Sequence, residues 1–302
     1  MTIPVGDLEV AERWERKRWS DFKENLGLLS ASNHFQKDHF PVLESYDSWE
    51  SFEDFISYCP FTSKGDLARD RENNPPYGSN LTFPLSEYKK FNQTSGTQGK
   101  PMVWLDTMND WRWMLGNWDR VLEEAEVSPG DRCFFAFSFG PFLGFWTAYE
   151  AATQKGCICM PSGGQSTEQR LLGMIQHKAE HLFCTPTYAM RLSNLAQESG
   201  IDLTTHVLKS IILAGETGGS IGSVREQIST VWGDGIKIFD HYGMTEVGPV
   251  AYETPGGQGG LRIILDSYVP GVIDPESTLP VNDREKGELV LTTLGRVGCP
   301  VF

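Results

Sequence analysis

An alternation of strand-like and helix-like segments dominates the middle of this 302-residue sequence. Apolar, strand-like runs occur at 132–137, 157–161, 181–185, 208–214 and 236–239. Each of the first four runs is followed by a stretch with apolar residues at helical spacing. Strand–helix units at this spacing predict βαβ crossovers. The sequence therefore predicts an α/β fold whose layered sheets consist mainly of parallel strands.

A strong helix signal lies before the first of these strand-like runs. Trp111, Leu115, Trp118 and Leu122 follow the 0, 4, 7, 11 spacing of one helix face, and Thr107 is placed to cap the helix. We expect this face to be buried.

The two ends of the chain differ from this middle. Residues 1–90 predict a helical region packed on the main domain, with an apolar stripe at Trp49, Phe52, Phe55 and Ile56. Residues 91–246 form the predicted α/β core. Beyond Val247 the helical signals stop, and short strands with Gly/Pro turns predict a small β-rich lobe at 247–302.

The composition is that of a globular protein, with 39% hydrophobic and 22% charged residues. A formal charge of −14 argues against nucleic-acid and anionic-membrane partners. The N-terminus has no apolar signal core and no segment approaches membrane-spanning length, so we expect a soluble, cytoplasmic protein. The six cysteines lack paired CxxC spacing, which predicts free thiols.

A polar loop at 94–100 concentrates groups that bind phosphate. Glycines let successive backbone N–H groups turn toward one point, hydroxyls add neutral donors, and a lysine adds a mobile positive charge. The candidate ligands of a triphosphate are Thr94, Ser95, Gly96, Thr97, Gly99 and Lys100. The loop is not a Walker P-loop, because Thr94 replaces its first glycine and Pro101 follows the lysine. An ordinary polar turn is the alternative interpretation.

A second candidate segment follows the strand-like run at 208–214. Ala214, Gly215, Glu216 and Thr217 are placed just past the carboxyl end of a strand, where α/β sheets bind ligands. Small residues there let a flat ring approach the backbone. A flexible turn into the next helix explains the segment equally well.

A third candidate segment follows the strand-like run at 236–239. Tyr242 offers a stacking face, Gly243 a close backbone approach, Thr245 a hydroxyl, and Glu246 a hard carboxylate suited to Mg²⁺. A polar loop with a core tyrosine is the alternative.

The three segments occur together in adenylate-forming enzymes. Thr-Ser-Gly-Thr-x-Gly-Lys-Pro, Gly-Glu-Thr and Tyr-Gly-Met-Thr-Glu stand here in the order, and at about the separations, found in that superfamily. The chain resembles its phenylacetate–CoA ligase-like branch most closely, from about residue 45 onward. The flanking Pro-Phe-Thr-Ser-Lys at 60–64 and Ser-Pro-Gly-Asp at 128–131 also look like that branch.

The resemblance implies ATP-dependent formation of an acyl-adenylate, followed by thioester formation with coenzyme A. It implies that 94–100 hold the β- and γ-phosphates and that Lys100, Thr245 and Glu246 are catalytic, with Glu246 as the Mg²⁺ ligand. It further implies that the nucleotide lies against Gly215, Glu216, Thr217, Asp240, His241, Tyr242 and Gly243. Within this family the substrate would be an aryl or arylacetic acid, and the acceptor coenzyme A or another thiol or amine.

The resemblance also implies an acyl pocket around Phe139, Gly140, Pro141 and Phe142, near Ala214 and His241. These aromatic residues are equally compatible with simple core packing.

The sequence also departs from the family pattern. In relatives, the segment after Gly-Glu-Leu at 287–289 continues through Arg-Tyr-Arg-Thr-Gly-Asp, whose aspartate binds the ribose hydroxyls. This sequence ends at Phe302, before that segment. The expectation is a truncated N-terminal portion that lacks the C-terminal domain with the catalytic lysine, binds nucleotide weakly and catalyses little. Thr254 and Arg262 replace a cysteine and a histidine of many relatives, so we expect no metal site there.

Two other functions are alternatives to this one. The first is a nucleotide-binding remnant without ligase activity. The second is a serine hydrolase built on Ser220 in a G-x-S-x-G segment, with Asp240 and His241 downstream. Ser220 lies several residues beyond the strand end, which argues against a nucleophile elbow. The sequence leaves the acid, the acceptor and the oligomeric state open, with a homodimer among the alternatives.

Overall fold

The fold alternates helices and strands over the regions that this computed structural model describes, residues 8–96, 100–203, 207–233, 235–254 and 260–302. The α-helices are α1 (Leu8–Ser32), α2 (His34–His39), α3 (Phe52–Tyr58), α4 (Lys64–Asn73), α5 (Met108–Glu124), α6 (Leu143–Lys155), α7 (Thr167–Gln176), α8 (Pro186–Glu198) and α9 (Gly222–Trp232). The strands are β1 (Tyr88–Gln93), β2 (Val103–Thr107), β3 (Arg132–Phe135), β4 (Ile158–Pro161), β5 (His181–Cys184), β6 (Ser210–Leu213), β7 (Lys237–Met244), β8 (Gly248–Glu253), β9 (Leu261–Ile263), β10 (Tyr268–Ile273) and β11 (Glu288–Thr293). Short 3₁₀-helices occupy Pro41–Ser48 and Leu85–Glu87.

A seven-stranded sheet, counted over the described residues, has the order β4-β3-β5-β6-β7-β8-β9. The pairs from β4 to β7 are parallel, whereas β8 and β9 are added antiparallel. The α/β fold with a mainly parallel sheet is therefore confirmed. Beyond β7 the described residues form strands and no helix, as the sequence indicated.

The chain divides into two compact units. One comprises Met1–Phe91, Gln98–Trp111 and Leu265–Phe302, and the other comprises Asn92–Thr97 and Arg112–Ile264. The predicted segments 1–90, 91–246 and 247–302 remain predictions, and β8 and β9 lie in the large sheet.

The first unit has an aromatic core and a buried ion pair. Its core cluster contains Trp19, Phe22, Leu26, Leu29, Phe40, Leu43, Trp49, Phe52, Phe55, Leu294 and Phe302. Ile56 was expected in this core, but it is 54% exposed, and Phe52 and Phe55 form the buried side of α3. Arg296 pairs with Asp106 at 2.7 Å with both side chains fully buried. A buried pair of this kind must supply its own charge compensation, because water is excluded.

Helix α5 carries the predicted apolar face. Trp111, Leu115, Trp118 and Leu122 are all at most 3% exposed. The Thr107 hydroxyl accepts from the backbone N–H of Asp110, and the Asp110 carboxylate accepts from the Thr107 N–H in return. This reciprocal cap fixes where the helix begins.

The cysteines in the described structure are all free, and Cys157 and Cys159 are partly exposed whereas Cys133, Cys184 and Cys299 are buried. Among the described residues, no helix has both the length and the apolar character that crossing a bilayer requires.

Candidate nucleotide and acyl site

The candidate site lies in the second unit, at the carboxyl ends of the parallel strands. Loops 136–142, 185–187 and 214–217 follow β3, β5 and β6. After β3 the chain forms β4 on one side of β3, and after β4 it crosses over to form β5 on the other side of β3. Such a reversal of strand order opens a crevice at which α/β proteins bind ligands.

The predicted phosphate loop begins at this edge. The backbone N–H of Gln93, at the end of β1, donates to the Pro141 carbonyl at 2.7 Å, which ties the start of the loop to 136–142. Thr94 is buried and Ser95 exposed, and Gly96 has φ +70°, a backbone conformation that favours glycine. Thr97 and Gly99 lie outside the described residues. Lys100 is exposed and belongs to a segment of the first unit.

Gly215 leaves a small space where β6 ends. Its φ is +91°, and a Cβ there would lie 3.1 Å from Phe145 Cζ and 3.6 Å from Thr185 Cγ2. Ala214 is buried beside it, whereas Glu216 and Thr217 are exposed. The segment is a glycine-dependent turn at the strand end, where the sequence placed it.

Glu216 is fixed in place by the start of α8. Its carboxylate accepts from the Thr187 backbone N–H at 2.8 Å and from the Thr187 hydroxyl. Partial burial raises the pKa of Glu216, but these hydrogen bonds outweigh the burial, so the pKa lies below its ordinary value. Glu216 is therefore an anion that ties loop 214–217 to loop 185–187.

The first part of the third predicted segment lies on a strand, whereas Thr245 and Glu246 lie in the turn after it. Strand β7 continues to Met244 because its second half pairs antiparallel with β8. A register shift between Tyr242 and Gly243 interrupts that pairing. At Gly243 a Cβ would lie 2.8 Å from the Gly248 carbonyl oxygen, so a side chain would separate the two strands.

Asp240 faces the loop before α9. Its carboxylate accepts from the Ser220 hydroxyl and from the His241 backbone N–H. A Cβ on Gly219 would lie 2.3 Å from the nearer Asp240 oxygen. Burial raises the pKa of Asp240, and the Ser220 hydrogen bond opposes this rise without cancelling it. Asp240 therefore fixes the loop before α9 through its hydrogen bond with Ser220.

His241 points to the other face of the sheet, as successive strand residues do. Its ring stacks on Trp118 of α5, with ring centres 4.2 Å apart and an interplanar angle of 26°. Within the described structure neither ring nitrogen has a hydrogen-bond partner. Burial lowers the pKa of His241 to about 3, so the imidazole is neutral at physiological pH.

The turn between β7 and β8 carries Thr245 and Glu246, both half-buried. Tyr242 is half-buried, and its hydroxyl lies 3.4 Å from Met244 Sδ. Burial and the nearby Glu246 carboxylate raise the pKa of Tyr242. The tyrosine ring and the carboxylate therefore lie close together at the end of the strand.

Loop 136–142 combines an unusual backbone conformation at Phe139 with several aromatic side chains. Phe139 has φ +51°, which is uncommon for a residue with a bulky side chain. The Phe139 ring lies 4.9 Å from that of Trp146, whose indole N–H donates to the Gly140 carbonyl at 3.0 Å. Phe142 is 37% exposed, so this loop is not simply core packing.

Sequence reasoning missed Arg170 on α7. Its guanidinium donates to the carbonyls of Ser162 at 3.0 Å, Phe137 at 3.0 Å and Ala136 at 3.4 Å. It also lies over the Tyr188 ring at 5.1 Å. Arg170 thereby anchors the segment that leaves β3, and no local sequence signal indicates this long-range role.

The hydrolase alternative does not match this geometry. Ser220 donates directly to Asp240, and the ring nitrogens of His241 have no partner among the described side chains. A serine nucleophile needs an imidazole within hydrogen-bond reach to accept its proton.

A different Ser–His–Asp set lies at the amino ends of the strands. His181 contacts the Ser210 hydroxyl at 2.7 Å through Nδ1 and the Asp131 carboxylate at 3.0 Å through Nε2. His181 and Ser210 are at most 1% exposed, so a substrate has no access to them. This set joins β3, β5 and β6 internally.

Comparison with known proteins identifies relatives. Residues 91–295 match the family described as AMP-binding enzyme. The chain is 30% identical over 259 residues to a phenylacetate–coenzyme A ligase of Pseudomonas putida, covering 84% of the chain and 56% of that protein. It is 30% identical over 318 residues to the phenylacetate–coenzyme A ligase of Aromatoleum evansii, covering 100% of the chain and 68% of that protein.

A solved structure has the same fold. The 2-hydroxyisobutyryl-CoA ligase, in complex with its acyl-adenylate and CoA in the thioesterification state, superimposes with a TM-score of 0.88 at 25% identity. The match covers 96% of this chain and 62% of that one. The chain thus spans a little more than half to about two thirds of the length of these relatives.

Proposed function

The chain belongs to the family of AMP-binding enzymes, and from this premise we propose that it activates a carboxylic acid with ATP for transfer to coenzyme A. An aryl or arylacetic acid is the proposed substrate class, because phenylacetate–coenzyme A ligases are among its relatives. One observation carries the proposal. Loop 214–217 follows β6 directly beside Asp240 on β7, and the start of the 94–100 loop is tied to the same edge of the sheet.

The proposed reaction has two steps. A carboxylate oxygen of the acid attacks the α-phosphorus of ATP, the bond to the β-phosphate breaks, and pyrophosphate leaves. The thiol of coenzyme A then attacks the acyl carbonyl, loses its proton, and AMP leaves.

Both partners in the first step are anions, so the site must neutralise charge as the transition state forms. We assign this to the Lys100 ammonium, the Thr245 hydroxyl and the backbone N–H groups of the 94–100 loop. In this proposal the adenine lies against the backbone of 215–217 and the ring of Tyr242 stacks on it.

Glu246 is the residue proposed to hold Mg²⁺. The described residues contain no cluster of three or more acidic, histidine or cysteine side chains that could enclose a metal on their own. A single half-buried carboxylate fits Mg²⁺ nonetheless, because this ion keeps several waters and is completed by substrate phosphates. The ion would supply positive charge to the phosphate oxygens.

The proposed acyl pocket lies between loop 136–142 and the Ala214 strand end. Phe139, Gly140 and Phe142 form the loop side, and Phe145 of α6 reaches Gly215 beside Ala214. Aromatic walls of this kind suit an acid with a ring.

Calorimetric titration of the 302-residue chain with ATP·Mg²⁺ tests the nucleotide site. Lys100→Ala and Glu246→Ala are each expected to weaken binding by about 10-fold or more, because each removes a charged contact. Lys17→Ala and Glu226→Ala remove exposed charges elsewhere and serve as matched controls with unchanged affinity. A folded chain that does not bind ATP·Mg²⁺, or site variants that bind like the controls, would contradict the proposal.

Isotope exchange between pyrophosphate and ATP then tests the chemistry. With the full-length product of the gene, exchange that depends on added phenylacetate, followed by phenylacetyl-CoA formation when coenzyme A is present, is the expected result. Nucleotide binding without exchange for any aryl or arylacetic acid would favour a nucleotide-binding protein without ligase activity.

A further inference from the structure

Arg225 of α9 joins three segments of the second unit through one guanidinium group. Its Nε donates to the Gly219 carbonyl at 2.6 Å, and its Nη1 donates to the Ile238 carbonyl at 3.2 Å. Its Nη2 donates to a carboxylate oxygen of Glu253, the last residue of β8. The loop before α9, strand β7 and strand β8 are therefore connected at a single side chain.

Glu253 extends this connection to Asp240. The Glu253 side chain is 7% exposed, and the oxygen that binds Arg225 also accepts from the Asp240 backbone N–H at 3.2 Å. The Asp240 carboxylate accepts from the Ser220 hydroxyl, which completes a cycle of contacts that begins and ends in the loop before α9. Burial raises the pKa of Asp240, and the charge of Arg225 is among the influences that oppose this rise. Arg225 therefore acts on Asp240 both through Glu253 and through its own charge.

The local sequence does not explain an arginine at this place. Arg225 lies near the amino end of α9, where the helix dipole disfavours a positive charge. Ile221 occupies the N-cap without a side-chain hydrogen bond, and the first turn has no acidic residue. The position of this helix end therefore depends on the carbonyls and the carboxylate that Arg225 binds.

The loop before α9 is packed closely on both sides. A Cβ on Gly218 would lie 2.9 Å from Pro186 Cβ at the start of α8, and a Cβ on Gly219 would lie 2.3 Å from an Asp240 oxygen. Loop 214–217 continues directly into these two glycines. A shift of the Gly219 carbonyl away from Arg225 would therefore displace loop 214–217 as well.

We propose that the Arg225–Glu253 pair positions the adenine of the bound nucleotide. This inference rests on the proposed function, in which the adenine lies between the backbone of 215–217 and the ring of Tyr242. Arg225 binds the loop that forms one side of this space and the strand β7 that forms the other, so the pair sets the separation of the two sides. Both side chains act through the backbone that they bind, and they are positioning residues rather than catalytic ones.

The test compares two nucleotides that share the base and differ in their phosphates. The affinities of the 302-residue chain for ATP·Mg²⁺ and for AMP are measured by calorimetry. Arg225→Gln is expected to weaken both by about 10-fold, because it removes a charge-assisted contact and leaves Glu253 buried without its partner. Lys100→Ala is expected to weaken ATP·Mg²⁺ alone, because AMP has no β- or γ-phosphate.

Arg132, at the amino ends of the strands, provides the matched control. Its Nε donates to the Lys178 carbonyl at 2.6 Å, and its guanidinium pairs with Glu180 at 3.1 Å, so it makes the same kinds of contact far from the proposed base site. Arg132→Gln should leave both affinities unchanged.

A conservative variant distinguishes positioning from a general loss of structure. Arg225→Lys should recover part of the affinity for both nucleotides, because its ammonium group keeps the charge at Glu253 but lacks the planar fork that serves three acceptors. If Arg225→Gln does not fold, Arg225→Lys replaces it: an equal loss for ATP·Mg²⁺ and AMP supports the inference, and wild-type affinities contradict it.

The outcomes separate this inference from the function on which it rests. If Arg225→Gln binds both nucleotides as Arg132→Gln does, or loses affinity for ATP·Mg²⁺ and not for AMP, the inference is wrong and the proposed function stands. Binding of ATP·Mg²⁺ without binding of AMP by the wild-type chain also contradicts the inference, because the base would then contribute too little to be positioned. Failure of the folded wild-type chain to bind either nucleotide overturns the proposed function itself.

Discussion

The neutral state of buried His241 makes the stability of the protein depend on pH in a way that one substitution removes. The pKa of this histidine is about 3 in the folded protein against an ordinary value of 6.5. The unfolded chain therefore binds a proton between these values that the native protein does not bind. Stability from this site is complete above about pH 6.5 and declines as the pH falls toward 3.

The magnitude follows from the two pKa values. At pH 8 the ring is neutral in both states and contributes nothing to the difference. At pH 5 the unfolded ring is about 97% protonated and the folded ring is neutral, which lowers the free energy of unfolding by about 2 kcal/mol. In His241→Leu this loss is absent, so the stability of the variant relative to wild type should improve by about 2 kcal/mol between pH 8 and pH 5.

Urea unfolding of both proteins at pH 8 and pH 5 measures this difference directly. Comparing the variant with wild type cancels the other titrating groups, among them His181, whose pKa is also lowered by burial, and Asp131, whose pKa is lowered by its hydrogen bonds despite partial burial. Equal pH dependence of the two proteins would refute the reasoning. It would mean that His241 has water or another partner in solution that lets it take up a proton.

Two further predictions concern the groups around the site. Gly219→Ala places a Cβ 2.3 Å from an Asp240 oxygen and should lower the free energy of unfolding by about 1–3 kcal/mol in urea titration, whereas Gly222→Ala, with no described atom within 4 Å of the added Cβ, should not cost more than about 1 kcal/mol. A fluorophosphonate probe followed by peptide mass spectrometry should label neither Ser210, which is buried, nor Ser220, which lacks an imidazole partner in the described structure. Labelling of either serine would revive the hydrolase interpretation.

Local sequence signals predicted the elements whose causes are local. Thr107 was predicted to cap a helix, and it forms reciprocal hydrogen bonds with Asp110 directly where α5 begins. The apolar stripe of α5 is buried as its spacing indicates. In both cases the residues that determine the structure lie within four positions of one another, so spacing alone carries the information.

Other features depended on partners distant in sequence and could not be predicted. The sequence predicts a strand at 236–239, yet β7 continues to Met244 because β8 supplies hydrogen bonds to its second half. Ile56 was expected in the core, but it is 54% exposed, whereas Phe52 and Phe55 of the same helix are buried. Which side of a helix is covered depends on the elements packed against it, and the register of a strand depends on its neighbour.

The candidate site shows the same division. Its residue types were evident from the sequence, because glycines, hydroxyls and a carboxylate after buried strands are unusual in a core. It was not evident that the ring nitrogens of His241 lack hydrogen-bond partners in the described structure, because this depends on Trp118, a residue distant in sequence that stacks on the ring.

The chain has a serine, a histidine and an aspartate close together at both ends of its parallel strands. The two sets differ in whether the ring nitrogens of the histidine are hydrogen-bonded. At the amino ends His181 has both of its hydrogen bonds and can only hold strands together. At the carboxyl ends the imidazole of His241 stacks on Trp118, and neither ring nitrogen has a hydrogen-bond partner within the described residues, so burial of this ring costs free energy that the His181 set does not incur.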